Sequence, residues 1–295
     1  MRGQAPNCTV HTPVSLIGAL EVLFAEKGAW RPLAGGTDLM VPFAAGTLPF
    51  SRFLNLWGLD ELRGIETFPE SITLGALTTY SEMRNHPLIA AEFPNLVQSA
   101  WVTGAMAIQN RGTLAGNIAN GSPAADTPPS LLAYGAEVQL QSLAGSRWVP
   151  YESFHTGYKQ SVMLPEELLT RIRVWRPKGD TFHFFRKVGT RKAQAISKVC
   201  LAAYARAEGG CVAEFRLGMG SVAPVPLRAL TAEMLIQGQR IDALDDRIIA
   251  GAKLALMEDI WPIDDIRSTA NYRRKVSANV LGQLLEGMLE RFKRA

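Results

Sequence analysis

The residues best placed to do chemistry are two glycine-rich stretches set far apart in the chain. The first is Ala34-Gly35-Gly36-Thr37-Asp38, flanked by Leu33 and Leu39. The second is Gly112-Thr113-Leu114-Ala115-Gly116-Asn117, continuing through Asn120-Gly121-Ser122-Pro123-Ala124-Ala125-Asp126. Glycine leaves no side chain between the backbone N–H groups and an approaching anion, so both stretches suit phosphate. Thr37, Asn117 and Ser122 add hydroxyl and amide donors of the kind that hold phosphate or ribityl oxygens. Together the two could hold the halves of one pyrophosphate. Taken singly, each reads more readily as a tight turn, because glycine pairs are common in turns.

Other devices for phosphate or metal are missing from the sequence. No Gly-x-x-x-x-Gly-Lys-Ser/Thr run is present, which argues against a P-loop nucleotidase. Gly218-Met219-Gly220-Ser221-Val222-Ala223 fits a loose dinucleotide pattern, but Pro224 and Pro226 block the helix that should open there. That segment reads as a strand ending in a bend. His11, His86, His155 and His183 show no metal-ligand spacing, which makes a protein metal site improbable. Cys8, Cys200 and Cys211 are scattered and odd in number, which fits a reducing cytoplasm rather than a disulfide or cluster framework. No nucleophile or paired carboxylate stands out, so catalysis by the side chains alone is not indicated.

The elements needed to position these stretches are legible. Thr12 is the expected cap of a helix with Pro13 first, carrying Val14, Leu16, Ile17, Leu20, Leu23 and Phe24 and stopping at Gly28. A strand over 30–34 feeds the first glycine stretch and pairs beside a strand over 52–56. Shorter units follow: a strand over 72–77, helices over 79–84 and 94–102, the long glycine-rich second stretch, a helix over 128–133, and a hairpin of 137–141 with 147–150. After a turn-rich hinge at 176–180 come three antiparallel strands, over 182–188, 197–206 and 211–219, with Gly209-Gly210 between the last two. Helices close the chain, the last over 268–292. The expected class is α+β, in two or three lobes.

Composition sets the outer bounds. The 295 residues are 47% hydrophobic and 20% charged with a net charge of +4, ordinary for a globular chain and too mild for a nucleic-acid groove. The apolar stretch 14–24 is broken by Gly18 and Glu21 and lacks a cleavage site, so we read no signal peptide. No segment reaches the length of a membrane span, and a cytoplasmic protein is expected.

At this point the motifs carry a family resemblance. Pro32-Leu33-Ala34-Gly35-Gly36-Thr37-Asp38-Leu39 with Gln109-Asn110-Arg111-Gly112-Thr113-Leu114-Ala115-Gly116-Asn117 resembles the paired signature of the FAD subunit of molybdenum hydroxylases, the xanthine dehydrogenase and aerobic CO dehydrogenase type. Ser122-Pro123-Ala124-Ala125-Asp126 continues it in register. Further similarity lies at Phe154 to Lys159, Pro165 to Leu169, Phe185 to Val188, Asp265 to Ser268, and Tyr272-Arg273. The ordered set spans nearly the whole chain. One departure is Ala115-Gly116, where Gly-Gly is more usual.

The resemblance implies a two-lobed FAD-binding domain of the vanillyl-alcohol-oxidase (PCMH) type over 1–175, with subdomains of about 1–57 and 58–175. It implies a smaller α+β domain with a three-stranded antiparallel sheet over 176–295. Carried over by position, Ala34, Gly35, Gly36, Thr37 and Asp38 would wrap the pyrophosphate, flanked by Leu33 and Leu39. Thr113, Gly116 and Asn117 would form the other wall. Thr103 would lie near the cofactor, Asp126 on its ribityl or adenosine part, Leu169 against the flavin, and Lys187 near the ring. Non-covalent FAD would take electrons from two [2Fe-2S] clusters on a small partner chain, fed by a molybdenum-pterin centre on a large one, and pass them to NAD or another acceptor. The assembly would be a heterotrimer or its dimer. The stretch 157–162 is most similar to xanthine-dehydrogenase-type members, which implies a purine or another N-heterocycle as substrate. The competing expectations are a stand-alone FAD-dependent oxidase and a non-redox interaction module whose glycine stretches are only turns.

Overall fold

A computed structural model describes residues 7–191 and 194–294. The first lobe is built on a parallel sheet of three strands, with Arg52–Asn55 between Thr9–His11 and Arg31–Leu33. The helix Leu16–Ala25 buries Ala19, Leu20 and Leu23 in the core these strands share with the second lobe. Its cap is Ser15, whose Oγ accepts from Gly18 N at 3.1 Å, and not Thr12 as the sequence suggested. Thr12 Oγ1 instead accepts from Asn55 Nδ2 at 3.3 Å, so the loop before the helix is tied to the central strand.

The second lobe carries an antiparallel sheet of five strands in the order Ile65–Thr67, Ser71–Gly75, Leu168–Trp175, Glu137–Ser142, Gly145–Pro150. Ser71–Gly75 is buried at every position. The same lobe carries helices Tyr80–Asn85, Pro87–Glu92, Pro94–Val102 and Pro128–Ala133, three of them opening on proline, where its missing N–H costs nothing. The stretch 112–126, read from sequence as a continuous loop, is in part helical: Thr113 caps Leu114–Asn120, and Gly121 ends it at φ 62°. Leu114, Ala115 and Ile118 bury one face of that turn. The glycine and asparagine content had hidden so short an apolar stripe.

The third region holds a sheet of Asp180–Val188, Val199–Glu208, Cys211–Gly220 and Leu227–Arg228 in that order. It therefore has four strands, not the three expected. Leu227 and Arg228 pair with Met219 and Gly218 directly after the prolines, too short a run to show alternation. Along Val199–Glu208 the faces alternate as a strand requires. Val199, Leu201, Ala203 and Ala205 meet the C-terminal helices, while Ala202 and Tyr204 join the core of the first two lobes. Helices Leu230–Ile236, Asp246–Asp259 and Ala270–Lys293 supply the far side of that second core. The strand Cys211–Gly220 comes so close to the second lobe that a Cβ on Gly218 would lie 2.2 Å from Pro129 O. After Gly220 the chain bends without opening a helix, and Ser221 N donates to Pro123 O at 2.7 Å. Among the described residues no helix is long and apolar enough to cross a membrane.

Candidate functional site

The two glycine stretches, separate in sequence, meet in space through their backbones. The first leaves the strand Arg31–Leu33 and turns at Gly36, whose φ of +75° favours glycine. A Cβ on Gly35 would lie 1.8 Å from Arg111 O and 2.6 Å from Arg111 C, so only glycine allows this approach. A Cβ on Gly112 would meet Thr37 Oγ1 at 3.4 Å, and one on Gly116 would meet Ala34 Cβ at 3.9 Å. Ala34, Gly35 and Thr37 thus lie directly against the stretch from Arg111 to Gly116. Asp38 is exposed, and Leu39 begins the short helix Met40–Ala44.

The second wall is fixed from behind. Leu114 N donates to Thr78 O at 3.0 Å and Tyr80 N to Gly112 O at 3.2 Å. Thr113 Oγ1 accepts from Gly116 N at 3.1 Å, capping the helix Leu114–Asn120. On that helix Asn117 Oδ1 is buried without a hydrogen-bond partner. Buried acceptors are nearly always satisfied, so this one calls for a donor from a bound group. A ligand rich in hydroxyl and imide donors beside a pyrophosphate fits both the orphan oxygen and the glycine-lined walls.

Behind this wall lies a buried ion pair. Lys187 Nζ donates to Asp126 Oδ2 at 2.6 Å and to Val102 O at 3.1 Å, and both side chains are only 10% exposed. Ser197 Oγ donates to Asp126 Oδ1 at 2.6 Å. Burial pushes the Asp126 carboxyl above its ordinary range, and Lys187 and Ser197 pull it back. The adjacent Cys200 thiol is fully buried and pushed well up by desolvation, so it is inert. Sequence reasoning assigned Asp126 and Lys187 to different parts of a ligand; the structure joins them to each other. Thr103 follows Val102, and its hydroxyl is engaged by Ser99 O at 2.8 Å. Leu169 is buried beside a bulge in the strand Leu168–Trp175, on which the helix Leu114–Asn120 lies.

Two contributors escaped sequence reasoning, Ser197 and the buried Arg84; the helix Tyr80–Asn85 was expected over 79–84, but its place behind Gly112 was not. Neither residue has a spacing signal, since each acts through a contact between distant segments. Two surface cavities, of about 220 and 430 Å³, lie elsewhere. The arginines that line them are ion-paired, as in Arg216–Glu214, Arg228–Glu152, Arg176–Glu92 and Arg206–Glu208, so neither competes as a reaction site. Among the described residues no group of His, Cys, Asp and Glu side chains could hold a metal ion.

Residues 6–177 match the family described as FAD binding domain in molybdopterin dehydrogenase, and residues 184–288 match the CO dehydrogenase flavoprotein C-terminal domain. The xanthine dehydrogenase FAD-binding subunit of Escherichia coli is 28% identical over 265 residues, covering 89% of each chain. The glyceraldehyde dehydrogenase medium chain of Sulfolobus acidocaldarius is 29% identical over 262 residues, covering 89% of this chain and 91% of that one. A solved carbon monoxide dehydrogenase structure from Hydrogenophaga pseudoflava contains a chain superposing at TM-score 0.92, with 26% identity over 98% of this chain and 99% of that one.

Proposed function

Because the chain belongs to the family of FAD-binding domains in molybdopterin dehydrogenases, we propose that it is the electron-relaying flavin subunit of a molybdenum hydroxylase complex. The observation that carries this reading is the approach of Gly35 to the Arg111 carbonyl, which makes one groove of two distant glycine stretches. Ala34, Gly35, Gly36, Thr37 and Asp38, between Leu33 and Leu39, would line one side of the pyrophosphate. Thr113 and Gly116 would line the other, and Asn117 Oδ1 would accept from the cofactor. When bound, FAD supplies the redox chemistry, linking single-electron donors to a two-electron acceptor such as NAD.

The protein's own residues place and insulate it. Leu169 would exclude water from the flavin, beside Thr103. Lys187, held by Asp126, would lie near the ring as a hydrogen-bond donor, which favours negative charge added there. The domain division would fall at 175/176, with flavin held by the first part and the sheet strand of Lys187 supplied by the second.

Partner chains complete the reading. The relatives are called FAD-binding subunits and medium chains, names for one chain among several. A large chain with molybdenum-pterin and a small chain with two [2Fe-2S] clusters would complete a cytoplasmic heterotrimer. Relatives of similar identity are named for xanthine and for glyceraldehyde, so substrate choice would rest with the large chain. The test is a visible spectrum of the purified chain with the released cofactor identified by mass. FAD is expected; a colourless chain that takes up no added FAD would end this reading.

A further inference from the structure

Arg84, on the helix Tyr80–Asn85, is only 8% exposed. Its guanidinium lies over the Trp101 ring, 3.9 Å from the centroid. One N–H goes to Gln109 Oε1 and another to Met106 Sδ at 3.1 Å, while Nε is buried with no partner. No carboxylate pairs with it among the described residues. A buried cation without a counter-charge is costly, and an indole face with neutral acceptors offsets only part of that cost.

All of these partners lie in the segment 101–109, which runs straight into the second glycine stretch. Gln109 Nε2 donates back to Trp101 O at 3.1 Å, closing the segment on itself. The helix that carries Arg84 grips the same stretch at further points. Thr79 bridges Thr113, Tyr80 N donates to Gly112 O, and Ser81 Oγ donates to Asn110 Oδ1. The neighbouring Arg111 is stacked 3.6 Å from the Trp57 centroid but is solvent-exposed, where salt screens it. Lys187 is already neutralised by Asp126. Arg84 is therefore a buried positive charge with no carboxylate partner among the described residues, held against the segment that leads into the second glycine stretch.

We propose that Arg84 is a positioning residue for the cofactor's pyrophosphate: through Gln109 it fixes the turn that ends in Thr113, and its charge is balanced by the bound anion. This rests on the FAD reading above. The pairing explains why a lone guanidinium is kept in the interior.

The test uses the full-length chain stripped of flavin, titrated with FAD by fluorescence and melted in parallel. Arg84→Met is expected to weaken FAD binding about tenfold, the size of one medium-range charge interaction. Arg84→Lys keeps the charge and loses the fork, so its affinity should stay within about threefold of the wild type. Both variants should melt earlier by similar amounts. A purely structural role predicts that affinity tracks melting in both, and that result, or full affinity in Arg84→Met, overturns the proposal. If Arg84→Met fails to fold, Gln109→Glu decides. It gives Arg84 a carboxylate within the fold, so weakened FAD binding without a lower melting temperature supports the role, and unchanged affinity overturns it. Wild-type chain that takes up no FAD removes the functional reading as well; wild type that binds while the variants do not differ removes the role of Arg84 alone.

Discussion

The two walls of the groove are made of similar residues and held by different means. Thr113, Leu114, Ala115 and Ile118 are buried, capped and hydrogen-bonded to the chain behind them. Leu33 to Thr37 is half-buried, Asp38 is exposed, and the helix Met40–Ala44 that follows buries no residue. One wall is folded by the core. The other is shaped by the neighbouring backbone and, in the proposed complex, by the ligand. Local stability follows buried contacts, so a substitution should act on folding at the second wall and on binding at the first.

The largest expected effect comes from breaking the contact between the walls. In Gly35→Ala the new methyl would meet the Arg111 carbonyl oxygen at 1.8 Å, and since the methyl is fixed to the Cα and the carbonyl is backbone, the walls must part. We expect the purified variant to lose FAD, with an affinity at least about a hundredfold below wild type. Gly116→Ala meets the Thr113 hydroxyl at 2.8 Å, a side chain that can turn aside, and should lose less than about tenfold. Equal flavin content in wild type and Gly35→Ala would show that the walls do not touch in solution as described.

Behind the fixed wall, Lys187→Met should cost roughly 3 kcal/mol of stability, because it leaves Asp126 charged and buried at 10% exposure. Adding Asp126→Asn should restore most of the loss. Denaturant unfolding of the two variants checks this, and a double variant no better than the single one would locate the cost elsewhere.

Acid should loosen the contact between the second lobe and the third region's sheet. Tyr134, after the helix Pro128–Ala133, lies 2.9 Å from His183 Nδ1 on the third region's sheet. Burial lowers the His183 pKa from 6.5 to about 4. Between those values the unfolded chain binds a proton that the folded chain does not. Stability is therefore full above pH 6.5 and falls as the pH drops toward 4. The loss should be roughly 2 kcal/mol, allowing for partial exposure. His183→Gln should flatten that part of the pH profile, though His155, also lowered to about 4 by burial, will keep some slope.

Much of this organisation was readable from the chain. The helix Pro94–Val102 lies where its proline start and apolar spacing put it, and the hairpin Glu137–Ser142 with Gly145–Pro150 forms as expected, turning at Leu143-Ala144 rather than across Ala144-Gly145. Both are local patterns set by a few neighbours. The fourth strand Leu227–Arg228, the Ser15 cap and the helix Leu114–Asn120 were missed or misplaced because contacts from outside each segment decide them. The glycine stretches were visible as phosphate-like and expected to meet around one pyrophosphate, but the backbone contact of Gly35 with Arg111 was not legible, since it depends on how two sheets and a connecting helix stack. The Lys187–Asp126 pair was legible only as two separate residues.

The smallest effect separates the walls most cleanly. Thr113 Oγ1 accepts from Gly116 N, whereas the Thr37 hydroxyl has no hydrogen-bond partner among the described residues. Thr113→Ala removes a helix cap and should cost about 1 kcal/mol of stability along with some FAD affinity. Thr37→Ala removes nothing the free chain uses, so its unfolding should stay within about 0.5 kcal/mol of wild type. Its FAD affinity should nevertheless fall severalfold, by the value of one hydroxyl donated to phosphate. Paired denaturation and FAD titrations of the two variants give the answer. If Thr37→Ala lowers stability as much as Thr113→Ala does, the first wall is as firmly built as the second, and the distinction between a folded wall and a ligand-shaped one is lost.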